Sequence, residues 1–125
     1  MKRPRILVVD DDEGTLQAIA ATLRHGFAVW VARDAAGAVE VARELDWDAD
    51  ALVVDLNLGD GPRGDEFAAG YAVFARRKTP VLVISGTAAP FELVEGLDCS
   101  AILHKPFDFE RLPQLVSMLV AARAN

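Results

Sequence analysis

Short apolar runs alternate along the chain with segments whose apolar residues recur at helical spacing. The first run, Arg5-Ile6-Leu7-Val8-Val9, is β-branched and unbroken, the pattern of a strand buried on both faces. It stops at Asp10-Asp11-Asp12, after which Leu16, Ile19, Ala20 and Leu23 fall on one face of a helix, with Gly26 as its C-terminal stop. Phe27 to Ala32 is a second, less apolar strand, which suits a sheet edge. Asp34 is placed as an N-cap for a helix whose stripe is Ala35, Ala38, Val39, Ala42 and Leu45. The turn Asp46-Trp47-Asp48 leads to a third strand, Ala51 to Asp55, and then to a Gly/Asp-rich loop from Leu58 to Asp65. Glu66 to Arg77 reads as a helix with Phe67, Tyr71 and Phe74 facing inward. Pro80 to Ile84 is a fourth strand ending at Ser85-Gly86-Thr87. Ala89 to Gly96 has room for about two helical turns. Ala101-Ile102-Leu103 is a short fifth strand, Lys105-Pro106-Phe107 a turn, and Asp108 a cap for a last helix with Leu112, Leu115, Val116 and Leu119 inward. Pro113 lies near that helix's start, where a missing N–H costs least, and shifts the expected first turn later.

Five strand–helix repeats imply an α/β fold, with a parallel sheet carrying helices on both faces and right-handed crossovers. The strands then end in polar residues, Asp10, Asp55, Ser85 and Lys105, all on one edge of the sheet. Ligands of open α/β sheets sit outside the carboxyl ends of the strands, at the point where strand order reverses.

The chain has 125 residues, of which 52% are hydrophobic, enough for one domain (1–125) with its own core. The formal net charge of −6 argues against autonomous nucleic-acid binding, which needs a basic face. A single cysteine, Cys99, excludes an internal disulfide. No apolar run is long enough for a membrane span or a signal peptide, so the expected location is the cytoplasm.

Asp10, Asp11 and Asp55, at adjacent strand ends, would repel one another if unpaired. A hard divalent cation relieves that repulsion. Mg²⁺ takes oxygen ligands and leaves part of its shell to waters and a phosphate. Lys105 adds a positive charge for Asp55 and for phosphoryl oxygens, and the Ser85 hydroxyl adds a donor. A carboxylate nucleophile with these neighbours meets the needs of phosphoryl transfer.

Four pieces in order, Ile6 to Asp12, Val53 to Leu58, Pro80 to Gly86 and Lys105-Pro106-Phe107, resemble the receiver domain of bacterial two-component response regulators. The resemblance implies a flavodoxin-like, doubly wound (βα)5 fold with strand order 2-1-3-4-5. It makes Asp55 the phosphoacceptor and Asp10, Asp11, Asp55 and the Asn57 backbone carbonyl the Mg²⁺ ligands. Ser85 becomes the switch hydroxyl, Lys105 the phosphoryl-stabilising lysine, and Pro106 follows a cis peptide bond. The implied partners are a histidine kinase or histidine phosphotransfer protein and a downstream protein, with the chain a monomer or weak dimer. The implied activity is a signalling switch that slowly dephosphorylates itself, and not an enzyme acting on an external substrate. A stand-alone receiver or one belonging to a hybrid histidine kinase is the expected context.

Several positions depart from that pattern. Leu58-Gly59 replaces Met-Pro, Gly61 to Gly64 lengthens the loop, and Ile102 stands where many members carry an aromatic switch residue. The stretch from Ser85 to Lys105 is short, which suggests a remodelled signalling face. A non-phosphorylated pseudo-receiver remains the alternative. An aspartyl-phosphate phosphatase would want an Asp where Asn57 stands. Elsewhere Asp12 is the better helix cap, and His104 is a rim residue. His25 is expected near a helix end, Cys99 in a loop or core, Arg76-Arg77-Lys78 at a solvated helix terminus, and Asp60 and Asp65 as loop solvation.

Overall fold

A computed structural model describes residues 2–86 and 101–124. In chain order the elements are β1 (Arg5–Val9), α1 (Glu13–Leu23), β2 (Ala28–Ala32), α2 (Ala35–Glu44), β3 (Ala51–Asp55), α3 (Gly64–Phe74), β4 (Val81–Ser85), β5 (Ala101–His104) and α4 (Arg111–Ala124). The strands form one parallel sheet in the order β2-β1-β3-β4-β5. The expected helix at Ala89 to Gly96, Thr87 and Cys99 lie outside the described residues.

Successive strand residues point to opposite faces, so each strand feeds two cores. Leu7, Val9, Leu52, Val54, Val81 and Val83 pack against α2 and α3. Ile6, Val8, Val53, Leu82, Ile84 and Leu103 pack against α1 and α4. This double burial explains the near-continuous apolar runs of β1, β3 and β4. Only the last residue of β2 is fully buried, as befits an edge strand.

Asp12 caps α1: its carboxylate accepts from the Thr15 N–H at 2.9 Å and from the Thr15 hydroxyl at 2.6 Å. The inward face of α1 is Leu16, Ile19, Ala20 and Leu23. The helix ends without using Gly26 in a left-handed conformation. Instead the Gly26 and Phe27 N–H groups both donate to the Leu23 carbonyl. Asp34 caps α2 by accepting from Gly37 N–H at 2.7 Å.

Three expectations are corrected. α3 runs from Gly64 to Phe74, two residues earlier at its start and three at its end than the apolar pattern suggested. Phe74 is 62% exposed and stacks on Trp47 at a ring separation of 4.7 Å, because the inward stripe of α3 is completed by Phe67, Ala68 and Tyr71. Pro113 does not delay α4, which starts at Arg111 and carries Pro113 at its third position, where no intrahelical N–H bond is lost. Asp108 shapes the entry to α4: its carboxylate accepts from Glu110 N–H and its carbonyl from Arg111 N–H, both at 3.0 Å.

Candidate functional site

The sheet order reverses direction between β1 and β3, and the polar residues that end these strands meet there. Val9 pairs with Val54 in register, so Asp10 and Asp55 emerge side by side. Asp55 pairs with Ile84, which places Ser85 one residue further out on β4, and Ser85 pairs with His104 on β5. The Lys105 N–H donates to the Ser85 carbonyl at 2.8 Å, and the Lys105–Pro106 peptide bond is cis.

Burial separates the acidic residues into two kinds. Asp10 and Asp55 are 1% and 5% exposed, whereas Asp11 faces solvent. One carboxylate oxygen from each lies within 4.8 Å of the others. Asp12 N–H donates to Asp10 Oδ1 at 2.9 Å, and Asn57 N–H donates to Asp55 Oδ1 at 3.0 Å, which orients both groups. Lys105 Nζ donates to Asp55 Oδ2 at 2.6 Å and lies 3.5 Å from Asp10 Oδ2.

At 3.5 Å the second contact is an ion pair and not a hydrogen bond, so Asp10 Oδ2 is a buried oxygen without a hydrogen-bond partner. Buried carboxylate oxygens are rarely left in that state. With two more carboxylates beside it, one open to solvent, the donor set fits a hard divalent cation. Burial pushes the Asp10 carboxyl up to about 6; the Asp12 amide pulls it back, while the charge of Asp55 adds to the rise. Burial alone would lower the Lys105 ammonium, but Asp55 and then Asp10 outweigh it and hold its pKa above the usual value.

The backbone at Asp55 is held by a contact that the sequence reading did not single out. A Cβ on Gly64 would lie 2.1 Å from the Asp55 carbonyl oxygen and 2.9 Å from its carbonyl carbon. Gly64 N–H donates to the Leu56 carbonyl at 3.0 Å, so α3 starts in contact with the backbone at the end of β3. A glycine at a loop–helix junction just after a polar strand end was the available signal. Asp65, expected as loop solvation, is buried and held by Arg63, whose Nε and Nη2 donate to its two oxygens at 2.9 and 3.1 Å. Asp60 and His104 are exposed, and Ile102 is half-buried against the α2–α3 side of the sheet.

The sequence profile of the response regulator receiver domain matches residues 6–117. The chain belongs to this family. As a receiver of two-component signalling it is 36% identical over 126 residues to the transcriptional regulatory protein PrrA of Mycobacterium tuberculosis, covering 98% of this chain and 52% of PrrA. It therefore spans about half the length of that relative. A solved response regulator receiver protein from Sinorhizobium medicae shares 31% identity and superposes with a TM-score of 0.84, covering 97% of each chain. A CheY-like receiver from Methanospirillum hungatei shares the fold with a TM-score of 0.85 at 22% identity, covering 98% of each chain. Among the described residues no helix is long and apolar enough to cross a membrane.

Proposed function

We propose that this receiver is a cytoplasmic switch that takes a phosphoryl group from a phosphohistidine onto the Asp55 carboxylate. An Asp55 oxygen attacks phosphorus in line, the P–N bond breaks, and its electron pair leaves with the imidazole of the kinase or phosphotransfer protein. Asp10, Asp11, Asp55 and the Asn57 backbone carbonyl would hold Mg²⁺, whose chemistry there is to neutralise charge on the phosphoryl oxygens. The Lys105 ammonium follows a phosphoryl oxygen once Asp55 has become an acyl phosphate, and the Ser85 hydroxyl donates to another. Their rearrangement alters the surface offered to a downstream protein partner. Attack of water on the same phosphorus then releases phosphate and restores the carboxylate.

The observation that carries this reading is the 2.6 Å contact of Lys105 Nζ with Asp55, beside an acidic trio whose oxygens lie within 4.8 Å. The test is incubation with phosphoramidate and MgCl₂, followed by intact-mass spectrometry. One phosphoryl adduct is expected on the wild type, and none on Asp55→Asn or without Mg²⁺. A folded wild-type protein that gains no adduct from phosphoramidate or from any phosphorylated histidine donor overturns the reading.

A further inference from the structure

A surface helix ordinarily carries charged or polar residues on its outer face, but α3 does not. Beyond Glu66 its exposed residues are Ala69, Gly70, Ala72, Val73 and Phe74. Val73 and Phe74 are 79% and 62% exposed, two of the three large apolar side chains that stand in solvent among the described residues. At helical spacing Glu66, Ala69, Gly70 and Val73 form one stripe, and Phe74 flanks it on the side of Trp47, the ring on which it stacks. The core does not impose this composition. A Cβ on Gly70 would meet nothing within 4 Å, so nothing inside the molecule calls for glycine at a mid-helix position, where it weakens the helix.

The charges at the two ends of this face differ in sign. At its start Arg63 lies 2.9 Å from Asp65 and 4.0 Å from Glu66, one cation against two carboxylates. Glu66 Oε1 accepts from the Arg63 N–H at 3.0 Å, and the side chain remains exposed. Beyond the end of the helix Arg76 is exposed, and its side chain makes no hydrogen bond or ion pair among the described residues. Its neighbour Arg77 is already engaged by Asp48 at 2.7 Å.

We propose that this face is where two copies of the chain meet, with their α3 helices antiparallel across a two-fold axis level with residue 71. That axis sets Glu66 of each copy beside the partner's Arg76, and seats each Val73 over the partner's Ala69. A bulky apolar side chain thus meets a small one, and the helix dipoles oppose. An interface between identical copies must be complementary to itself. An acidic start and a basic end with an uncharged middle meet that condition in the antiparallel sense, whereas parallel pairing would set Glu66 on Glu66 and Arg76 on Arg76. One helix face is a small contact, so the dimer is weak, with a Kd on the order of 0.1 mM. The contact uses none of Asp10, Asp11 and Asp55, so it requires neither Mg²⁺ nor phosphorylation.

The experiment is sedimentation equilibrium in EDTA at protein concentrations from about 20 µM to about 1 mM, a span that brackets the expected Kd. The weight-average mass of the wild type should rise from 13.5 kDa towards twice that value. Val73→Glu should weaken association by about tenfold or more, with an unchanged far-UV spectrum because the side chain is exposed. Glu66→Lys and Arg76→Glu should each weaken it by about tenfold or more, since each sets like charges together at both ends of the contact. Mixed in equal amounts, these two variants should associate about as strongly as the wild type, because each offers the other an opposite charge at both ends. Glu66→Lys gives up the contact with the Arg63 N–H; if it fails to fold, Val73→Glu and Arg76→Glu, which leave that cap intact, decide the case. The proposal is overturned by a wild type that stays monomeric throughout, by wild-type association in Val73→Glu or Arg76→Glu, or by a mixture that associates no better than its folded parts. Because no free Mg²⁺ and no phosphodonor is present, the outcome is independent of whether Asp55 accepts phosphate.

Discussion

Lys105 and Asp55 belong to the ends of strands that are not neighbours, yet Lys105 Nζ donates to Asp55 Oδ2 at 2.6 Å across the intervening end of β4. The ammonium also faces Asp10 Oδ2 at 3.5 Å, so one cation holds two buried carboxylates together. Lys105→Met should leave those carboxylates facing each other uncompensated. The expected cost in EDTA is about 1–3 kcal/mol of unfolding free energy. Added MgCl₂ should recover part of it, raising the melting temperature more in the variant than in the wild type. Equal Mg²⁺ responses in the two proteins would argue against a shared role for the metal and the ammonium.

Asp10 makes metal-free stability depend on pH with an unusual sign. Its folded pKa of about 6 is above the unfolded value of 3.8, so between these values the folded state binds the extra proton. Stability in EDTA should therefore fall as pH rises from 4 to 6, by on the order of 2 kcal/mol from this group. Asp10→Asn keeps an oxygen for the Asp12 N–H and removes the charge. It should be more stable than the wild type at pH 7.5 in EDTA, lose the slope and lose the Mg²⁺ response. Urea titrations at four pH values measure all three. Mg²⁺ affinity of the wild type should weaken below about pH 6, because the metal competes with the Asp10 proton.

Gly64→Ala tests whether the start of α3 positions the acceptor. The added methyl meets the Asp55 carbonyl at 2.1 Å, so backbone must move. A loss of about 1–3 kcal/mol or more is expected, with slower phosphoramidate labelling of the fraction that remains folded. Gly61→Ala is the matched control: a Cβ there meets nothing within 4 Å and should change neither quantity. Similar losses in both variants would assign the effect to loop flexibility.

The two aromatic residues at the end of α3 should differ in what their substitution costs. Tyr71 is 1% exposed, and its hydroxyl accepts from the Ala49 N–H at 2.9 Å. Tyr71→Phe strands that buried N–H and should cost about 1–3 kcal/mol. Phe74→Ala removes an exposed ring stacked on Trp47 and should cost less than about 1.5 kcal/mol. Chemical denaturation of both variants decides the order, and a larger loss for Phe74→Ala would contradict the burial difference.

The elements were legible because their causes are local. A strand buried on both faces needs an unbroken apolar run, and Ile6 to Val9, Leu52 to Val54 and Val81 to Ile84 supply one each. The caps Asp12 and Asp34 follow from short side chains that reach N–H groups three residues on. The boundaries of α3 were less legible, since Phe74 continues the apolar pattern while the buried stripe has already been completed by Tyr71.

The chain by itself determined the alternation of strands and helices, and that Asp10, Asp55, Ser85 and Lys105 fall at strand ends on one edge, because residue period and strand direction are properties of consecutive residues. Only the tertiary structure decided which of these side chains touch. The 2.6 Å reach of Lys105 to Asp55 depends on strand order and register. So do the unpartnered oxygen of Asp10 and the contact of Gly64 with the Asp55 carbonyl. The hydrogen bonds that Arg123 Nη1 donates to the Ala49 carbonyl and to Asp50 Oδ1 likewise join residues more than 70 positions apart in the chain. Such contacts arise when separate segments pack, and no local pattern encodes their distances.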